Sequence, residues 1–176
     1  MTYPSFSAGE VLRAQDMNAV GLWLVKTQAV PAGGTAFTVT GAFSNDYDNY
    51  RIVFNNIGGT AGFSAFMSIN GSAGATYRWA GRFWGYALAA GDGSSGGSTT
   101  GGFWLGIMGT GFSGVVDLEA PFLASPTKQS AQTSGDTYTN AVGGYDTNPA
   151  SSTAFTVTLS SGTLTAGTVS VYGYKK

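Results

Sequence analysis

Hydrophobic and polar residues alternate with a period of two along most of the chain, from Lys26 onward. The alternating runs are short and are bounded by Gly, Asn, Asp and Ser. Successive side chains of a β-strand point to opposite faces, so this pattern is typical of strands with one buried face. It predicts nine or ten strands, at 24–30, 35–40, 50–57, 63–70, 76–87, 103–108, 112–120, 138–145, 153–160 and 168–174.

The predicted fold is all-β, because no helical segment separates these strands. An antiparallel β-sandwich, jelly-roll-like, with a short N-terminal helix fits this order of elements. Three strands carry the clearest inward-facing sets: Phe63, Ala65, Met67 and Ile69; Phe112, Gly114, Val116 and Leu118; and Phe155, Val157 and Leu159. The polar stretches 91–102 and 125–139 lack apolar periodicity and are predicted to be surface loops.

The first 26 residues have the only helical spacing in the chain. A helix could start at the capping box formed by Ser7 and Glu10, or later, near Arg13. Its apolar stripe would be a candidate oligomer stem made of Met17, Val20 and Leu24. The stripe either mediates self-association or packs on the strands of its own chain. We therefore divide the chain into an N-terminal attachment arm, 1–26, and a head domain, 27–176.

The 176 residues are one domain's worth of chain and contain neither His nor Cys. The commonest general base, the thiol nucleophile and the commonest metal ligands are therefore missing, and disulfides are impossible. The acids Asp46 and Asp48 follow Asn45 in a way that loosely resembles calcium ligands, but turn formation and strand capping explain them more simply. The sequence predicts a protein that is not an enzyme and that binds no metal or cofactor.

Charge and hydropathy exclude further classes. A net charge of −1 provides no electrostatic footprint for nucleic acid. No apolar run is long enough for a membrane span, and the opening residues do not form a signal peptide. Only 10% of the residues are charged and the mean hydropathy is +0.06, so we expect neighbouring copies to cover part of the surface.

Aromatic residues concentrate between positions 77 and 104. A strand that buries Tyr77, Trp79 and Phe83 would present the opposite residues outward, with a further Trp beyond the 91–102 segment. These candidates for a ligand or partner surface are Arg78, Arg82, Trp84, Tyr86 and Trp104. Aromatic faces beside guanidinium donors suit a sugar or a protein partner, and a subunit interface is enriched in the same residues.

The outward arginines also offer partners for a pair of acids. Asp117 and Glu119 share one face of their predicted strand, and they are expected to form surface ion pairs with Arg78 and Arg82.

A ten-residue segment occurs twice with small changes. PAGGTAFTVT, at 31–40, matches PASSTAFTVT, at 149–158, except at the two small residues after Ala. Either an internal duplication or convergence on a good strand composition explains the match.

Both ends of the chain resemble a known family. The opening PSFSAGEVLRAQDMNAV, at 4–20, resembles the N-terminal segment of many bacteriophage tail-fibre and minor tail proteins, although Arg13 stands where that pattern has a hydroxyl residue. FSNDYDNYRIVFNNI, at 43–57, and GTVSVYGYKK, at 167–176, resemble the β-sandwich module of the same family. The middle of the chain has no counterpart.

The resemblance implies a virion structural protein that forms a homotrimer. Its N-terminal segment would attach to other virion proteins, and its β-sandwich head would contact a glycan or protein on the host surface. The protein would be made in the host cytoplasm and reside in the phage particle, on the tail in preference to the head. The alternatives are a head fibre or decoration protein of the capsid, and a stand-alone carbohydrate-binding module.

Overall fold

The computed structural model describes residues 21–69, 76–87, 92–99 and 101–175. Within these ranges the chain forms antiparallel strands and no helix. The strands are β1 (Leu22–Ala29), β2 (Ala36–Val39), β3 (Tyr47–Ile69), β4 (Tyr77–Gly85), β5 (Asp92–Thr99), β6 (Phe103–Glu119), β7 (Thr127–Gly135), β8 (Tyr138–Asp146), β9 (Phe155–Leu159) and β10 (Leu164–Lys175). The prediction of an all-β antiparallel fold is confirmed.

One sheet contains all ten strands. Its main path runs β1-β10-β3-β6-β7-β8-β4-β5, and β9 joins β2 to the second half of β3. Strands β3 and β6 are each longer than predicted, because each combines two predicted strands. Their mutual register shifts between Phe54 and Ile57 and between Gly58 and Phe63, so the pair is interrupted by bulges but not broken.

The predicted inward-facing sets lie in the core. The apolar side chains from Phe63 to Ile69, from Phe112 to Leu118 and from Phe155 to Leu159 that were assigned inward are all buried. Gly114 lies on the same face and is partly exposed. Burying a large apolar side chain contributes about 1.5–3 kcal/mol, so these positions hold the register of their strands.

The repeated decapeptides meet each other. Strands β2 and β9 pair antiparallel, with Phe37 opposite Val157 and Val39 opposite Phe155. The equivalent residues Thr38 and Thr156 lie opposite one another, and their hydroxyl oxygens are 2.8 Å apart. The two copies are therefore related by a local twofold axis through this threonine pair.

The segment 125–139, predicted to be a loop, contains strand β7, so that prediction is wrong. Alternate residues of β7 are buried, but they are largely polar: Thr127, Gln129, Ala131 and Thr133. The Thr133 hydroxyl donates to the Leu105 carbonyl at 2.7 Å, and the Gln129 amide donates to the Trp104 carbonyl at 3.4 Å. These side chains bond backbone groups at the start of β6, which explains why a buried face can lack apolar periodicity.

The segment 91–102 was also predicted to be a loop, and it contains the edge strand β5. Gly93 and Gly97 lie opposite Phe83 and Trp79 of β4. A Cβ at Gly93 would lie 2.5 Å from the Phe83 ring, and one at Gly97 would lie 3.4 Å from the Trp79 ring. Aromatic rings of β4 therefore cover the glycines of β5, an arrangement that stabilises an edge strand without apolar residues of its own.

The N-terminal stem prediction is only partly within the described residues. Met17 and Val20 lie outside them. Leu24 is in strand β1, opposite Tyr172 of β10, which agrees with the strand predicted at 24–30 and contradicts its placement on a helix. Its role in an oligomer stays a prediction. Extended geometry is favoured there because β10 provides a hydrogen-bonding partner for β1. The strand continues through residue 26, and the division into arm and head stays a prediction.

Candidate binding surface

The outward faces of β7, β8, β4 and β5 form one side-chain grid. Its rows run across the strands, because residues in register on neighbouring strands share a face. One row contains Lys128, Tyr145 and Arg78. The next contains Ser130, Gly143, Ala80 and Gly96, and a third contains Gln132, Ala141, Arg82 and Ser94.

The row of small residues forms the floor of a trough. One groove of about 610 Å³ extends from Ala80 toward Arg78, Tyr145 and Lys128. A second, of about 590 Å³, extends from Ala80 toward Arg82 and Trp84. Both grooves are shallow and open to solvent on the face of the sheet. The two grooves lie side by side, with Ala80 in the lining of both, and we call the pair the small-residue trough.

Three cationic side chains surround the small-residue trough. Within the described ranges, Arg78 and Arg82 form no ion pair with an acid, whereas the Lys128 amine lies 3.7 Å from the Glu119 carboxylate. The Arg82 guanidinium lies over the Trp84 ring, 5.9 Å from its centroid. A guanidinium held over an indole ring presents a planar donor beside a flat apolar face.

The structure brings four of the five predicted surface residues to the exterior. Arg78, Arg82 and Trp84 lie on the outward face of β4, and Tyr86 follows the end of that strand. Tyr86 is exposed, but it does not line either groove of the trough.

The prediction for Trp104 is wrong, since only 3% of this residue is exposed. Its ring packs against Trp79, with centroids 5.1 Å apart, and against Phe83, at 6.4 Å. The first half of β6 lies against the inner face of β4, so Trp104 belongs to the core beneath the trough and not to its surface.

Sequence reasoning missed several residues of the trough. Tyr145 lies in a correctly predicted strand, and the burial of Asn140 and Val142 on its opposite face determines that Tyr145 points outward. Lys128 lies in β7, which was predicted to be a loop. Gly143 carries no chemical signal in the sequence, and its importance comes only from its position on the trough floor.

The acid pair at 117 and 119 has other partners than predicted. Arg51 donates two hydrogen bonds to Asp117, both 2.8 Å long, and the Tyr174 hydroxyl donates a third, 2.9 Å long. Arg78 and Arg82 take no part, because β8 and β7 separate β4 from β6 in the sheet. These contacts leave Arg78 and Arg82 without the two acids expected to pair with them, whereas Lys128 lies 3.7 Å from Glu119.

The Arg51 contact changes the titration of its neighbours. Hydrogen bonding to Arg51 lowers the pKa of Asp117, and burial opposes this effect. Desolvation raises the pKa of Tyr174, and its hydrogen bond to Asp117 raises it further.

We expect Asp117 to stabilise the fold only above acidic pH. Its folded-state pKa is depressed, so its contribution is fully present above the ordinary value of about 3.9 and is lost as pH falls through the lower folded-state value. Arg51 and Asp117 are each about a third exposed, so their ion pair should contribute about 0.2–1 kcal/mol to the free energy of unfolding. Urea unfolding of wild type and Asp117→Asn, from about pH 6 to about pH 2, should give a difference that vanishes in acid.

Glu119→Gln provides the matched control for this titration. The Glu119 side chain is 64% exposed, and its distance to the Lys128 amine, 3.7 Å, is long for an ion pair. Removing its charge should therefore change the free energy of unfolding less than Asp117→Asn does, at every pH. A stability difference for Asp117→Asn that is independent of pH would contradict the assignment.

Asp46 and Asp48 precede the buried part of β3. The Ser44 hydroxyl donates to the Asp46 carboxylate at 2.9 Å, and the Asp46 amide donates to the same hydroxyl at 3.3 Å. This is the pattern of a hydroxyl-stabilised turn. In the ranges that the structure describes, no group of three or more acidic side chains is placed to hold a metal ion.

Comparison with protein-family models, curated proteins and solved structures finds no match to this chain. Among the described residues, no helix is both long and apolar enough to span a membrane.

Proposed function

We propose that this chain is a non-enzymatic structural protein of a bacteriophage particle, a trimeric tail fibre or minor tail protein. Its N-terminal segment attaches to the particle, and its strands form a head for contact with the host surface. The observation that carries the host-contact role is the small-residue trough. It combines exposed arginines and aromatic rings on a face made of four hydrogen-bonded strands, which hold them in a fixed spacing.

We further propose that the sheet closes on itself as a β-sandwich. Support comes from side chains of β7 and β8 that reach the backbone of the first half of β6. Thr133 donates to the Leu105 carbonyl, and the Asn140 amide contacts both the Ile107 amide and carbonyl at 3.0 Å. The same strand β6 pairs directly with β7 further along, from Phe112 to Glu119. These contacts support a bend in β6 that sets two parts of the sheet face to face, as the proposed sandwich requires.

The edge strand β1 supports self-association. Leu22 and Leu24 are 43% and 59% exposed, and the outer edge of β1 has no strand partner among the described residues. An exposed strand edge with apolar side chains is a surface that another chain can cover.

We expect light scattering of the purified protein to give about three times the 18.0 kDa chain mass. Replacing Leu22 and Leu24 together by Arg should shift the protein toward monomer, because charged side chains would be buried in the contact. Leu123→Arg is the control, since Leu123 is also exposed, at 40%, but lies outside β1. A monomer at micromolar concentration, unchanged by dilution, would overturn the trimer.

Antibody labelling of intact particles tests the location. Label at the tail supports the proposal, and label over the capsid would favour a head fibre or decoration protein instead. Absence from purified particles would overturn the virion assignment altogether.

A further inference from the structure

We propose that the small-residue trough binds an anionic polysaccharide segment. The proposal rests on the proposed function, because it specifies what the exposed head would contact on a host surface. The trough offers a floor of small residues, cations on both sides and two exposed aromatic rings.

Charge complementarity points to an acidic ligand. Arg78 and Lys128 lie at one side of the floor and Arg82 lies at the other. Guanidinium groups bind carboxylate and sulfate oxygens through two parallel hydrogen bonds. Glu119 is 3.7 Å from Lys128, and Asp92, opposite Trp84 on β5, accepts a hydrogen bond from the Gly85 amide at 3.1 Å. Among the described residues, neither acid forms an ion pair with Arg78 or Arg82.

The spacing of the arginines points to an extended ligand. Arg78 and Arg82 are four residues apart on one strand, so their Cα atoms are separated by about 13 Å. The Arg82 guanidinium lies over the Trp84 ring, on the side away from Arg78, so in this arrangement one small anion does not bridge the two arginines. A polymer with acidic groups along its length can contact both, with the intervening part lying across Ala80.

The floor and the aromatic rings suit sugar rings. Ala80, Ala141 and Gly143 present almost no side chain, so a ring can approach the sheet closely. Trp84 is 37% exposed and Tyr145 is 43% exposed, each next to a cation of the trough. Flat aromatic faces with polar edges pack against the apolar faces of sugars while neighbouring donors bind their oxygens.

Isothermal titration with defined oligosaccharides tests the proposal. The anionic probes are an oligogalacturonate, which carries carboxylates, and a sulfated dextran fragment, which carries sulfate esters. The methyl-esterified oligogalacturonate is the neutral control with the same rings. We expect the acidic form of oligogalacturonate or the sulfated fragment to bind at least tenfold more tightly than the neutral ester, with affinity falling as salt rises.

Three variants connect the binding to the trough. Arg78→Ala and Arg82→Ala should each weaken binding about tenfold, since each removes a charge-assisted hydrogen bond. Gly143→Val should abolish binding, because the added side chain would fill the floor. A Cβ at Gly143 meets no atom within 4 Å, and an unchanged melting temperature of Gly143→Val shows that its two methyl groups are accommodated as well.

Ala29→Val is the matched control for added bulk. It places the same branched side chain at an exposed position of β1, at the far edge of the sheet from the trough. Binding equal to wild type in Ala29→Val, together with loss in Gly143→Val at unchanged melting temperature, supports the trough. Equal binding in both variants would overturn it.

Three further outcomes separate this proposal from the others. An oligothymidylate bound as tightly as the saccharides, with the same dependence on Arg78 and Arg82, would overturn saccharide recognition in favour of general polyanion binding. No binding of either anionic probe by a trimer located on the particle would overturn the trough alone. Saccharide binding by a protein absent from particles would overturn the virion assignment and leave the trough intact.

Discussion

Asn140→Ala is expected to lower the free energy of unfolding by about 2–5 kcal/mol. Asn140 is 2% exposed, and its side chain both accepts from the Ile107 amide and donates to the Ile107 carbonyl, each at 3.0 Å. Ala would leave both backbone groups of the part-buried Ile107 without these partners. A fully buried unsatisfied group costs about 1–3 kcal/mol, so two part-buried groups should together cost somewhat less than the roughly 6 kcal/mol upper limit for two buried ones.

Urea denaturation followed by tryptophan fluorescence measures this loss. Asn55→Ala is the control, because Asn55 is exposed on strand β3 and the same chemical change there should cost less than about 0.5 kcal/mol. Similar midpoints for the two variants would mean that the Ile107 backbone is not held by Asn140, and would remove the main link between β8 and the first half of β6.

Gly106→Ala is expected to destabilise the fold by about 2–6 kcal/mol. Gly106 has a φ of +128°, a backbone conformation that residues with a side chain rarely adopt. A Cβ at this position would also lie under 3.0 Å from the Asn140 side chain. Backbone strain of about 1–3 kcal/mol and overpacking of about 1–3 kcal/mol therefore add at one site.

Gly111→Ala in the same strand is the matched control for Gly106→Ala. Gly111 has no positive φ, and a Cβ there would meet only the Ile57 carbonyl oxygen, at an ordinary 3.5 Å. Thermal unfolding should leave Gly111→Ala near wild type and lower the midpoint of Gly106→Ala strongly. Equal midpoints would contradict the strain at Gly106.

The destabilising effects of Asn140→Ala and Gly106→Ala should not add up in the double variant. In the Asn140→Ala background the clash at Gly106 is relieved while the backbone strain remains, so Gly106→Ala should then cost less by about 1 kcal/mol or more. An additive cycle would show that strain alone accounts for the Gly106 effect.

The errors made from sequence have specific physical causes. Strand β7 was missed because its buried residues, such as Gln129 and Thr133, bond the backbone of β6 and need not be apolar. Strand β5 was missed because the rings that cover Gly93 and Gly97 belong to β4. In both cases the stabilising partner lies on another strand, so the pattern of hydrophobic residues within the strand itself does not reveal it.

Part of the candidate surface could be predicted from the sequence, and part depends on strand order. Alternation along β4 was enough to place Arg78, Arg82 and Trp84 outward, because the buried phase of that strand is marked by Tyr77 and Trp79. The trough itself depends on which strands flank β4. Residues Lys128, Gly143 and Tyr145 come from β7 and β8, whose pairing no local pattern specifies.

The amino-acid sequence by itself determined the all-β class, most of the strands and the phase of the buried residues, because side-chain alternation follows from strand geometry alone. Only the tertiary structure decided that Trp104 is buried, that Asp117 bonds Arg51 and that the two decapeptides pair around Thr38 and Thr156. These contacts join residues far apart in the chain, and strand order sets them.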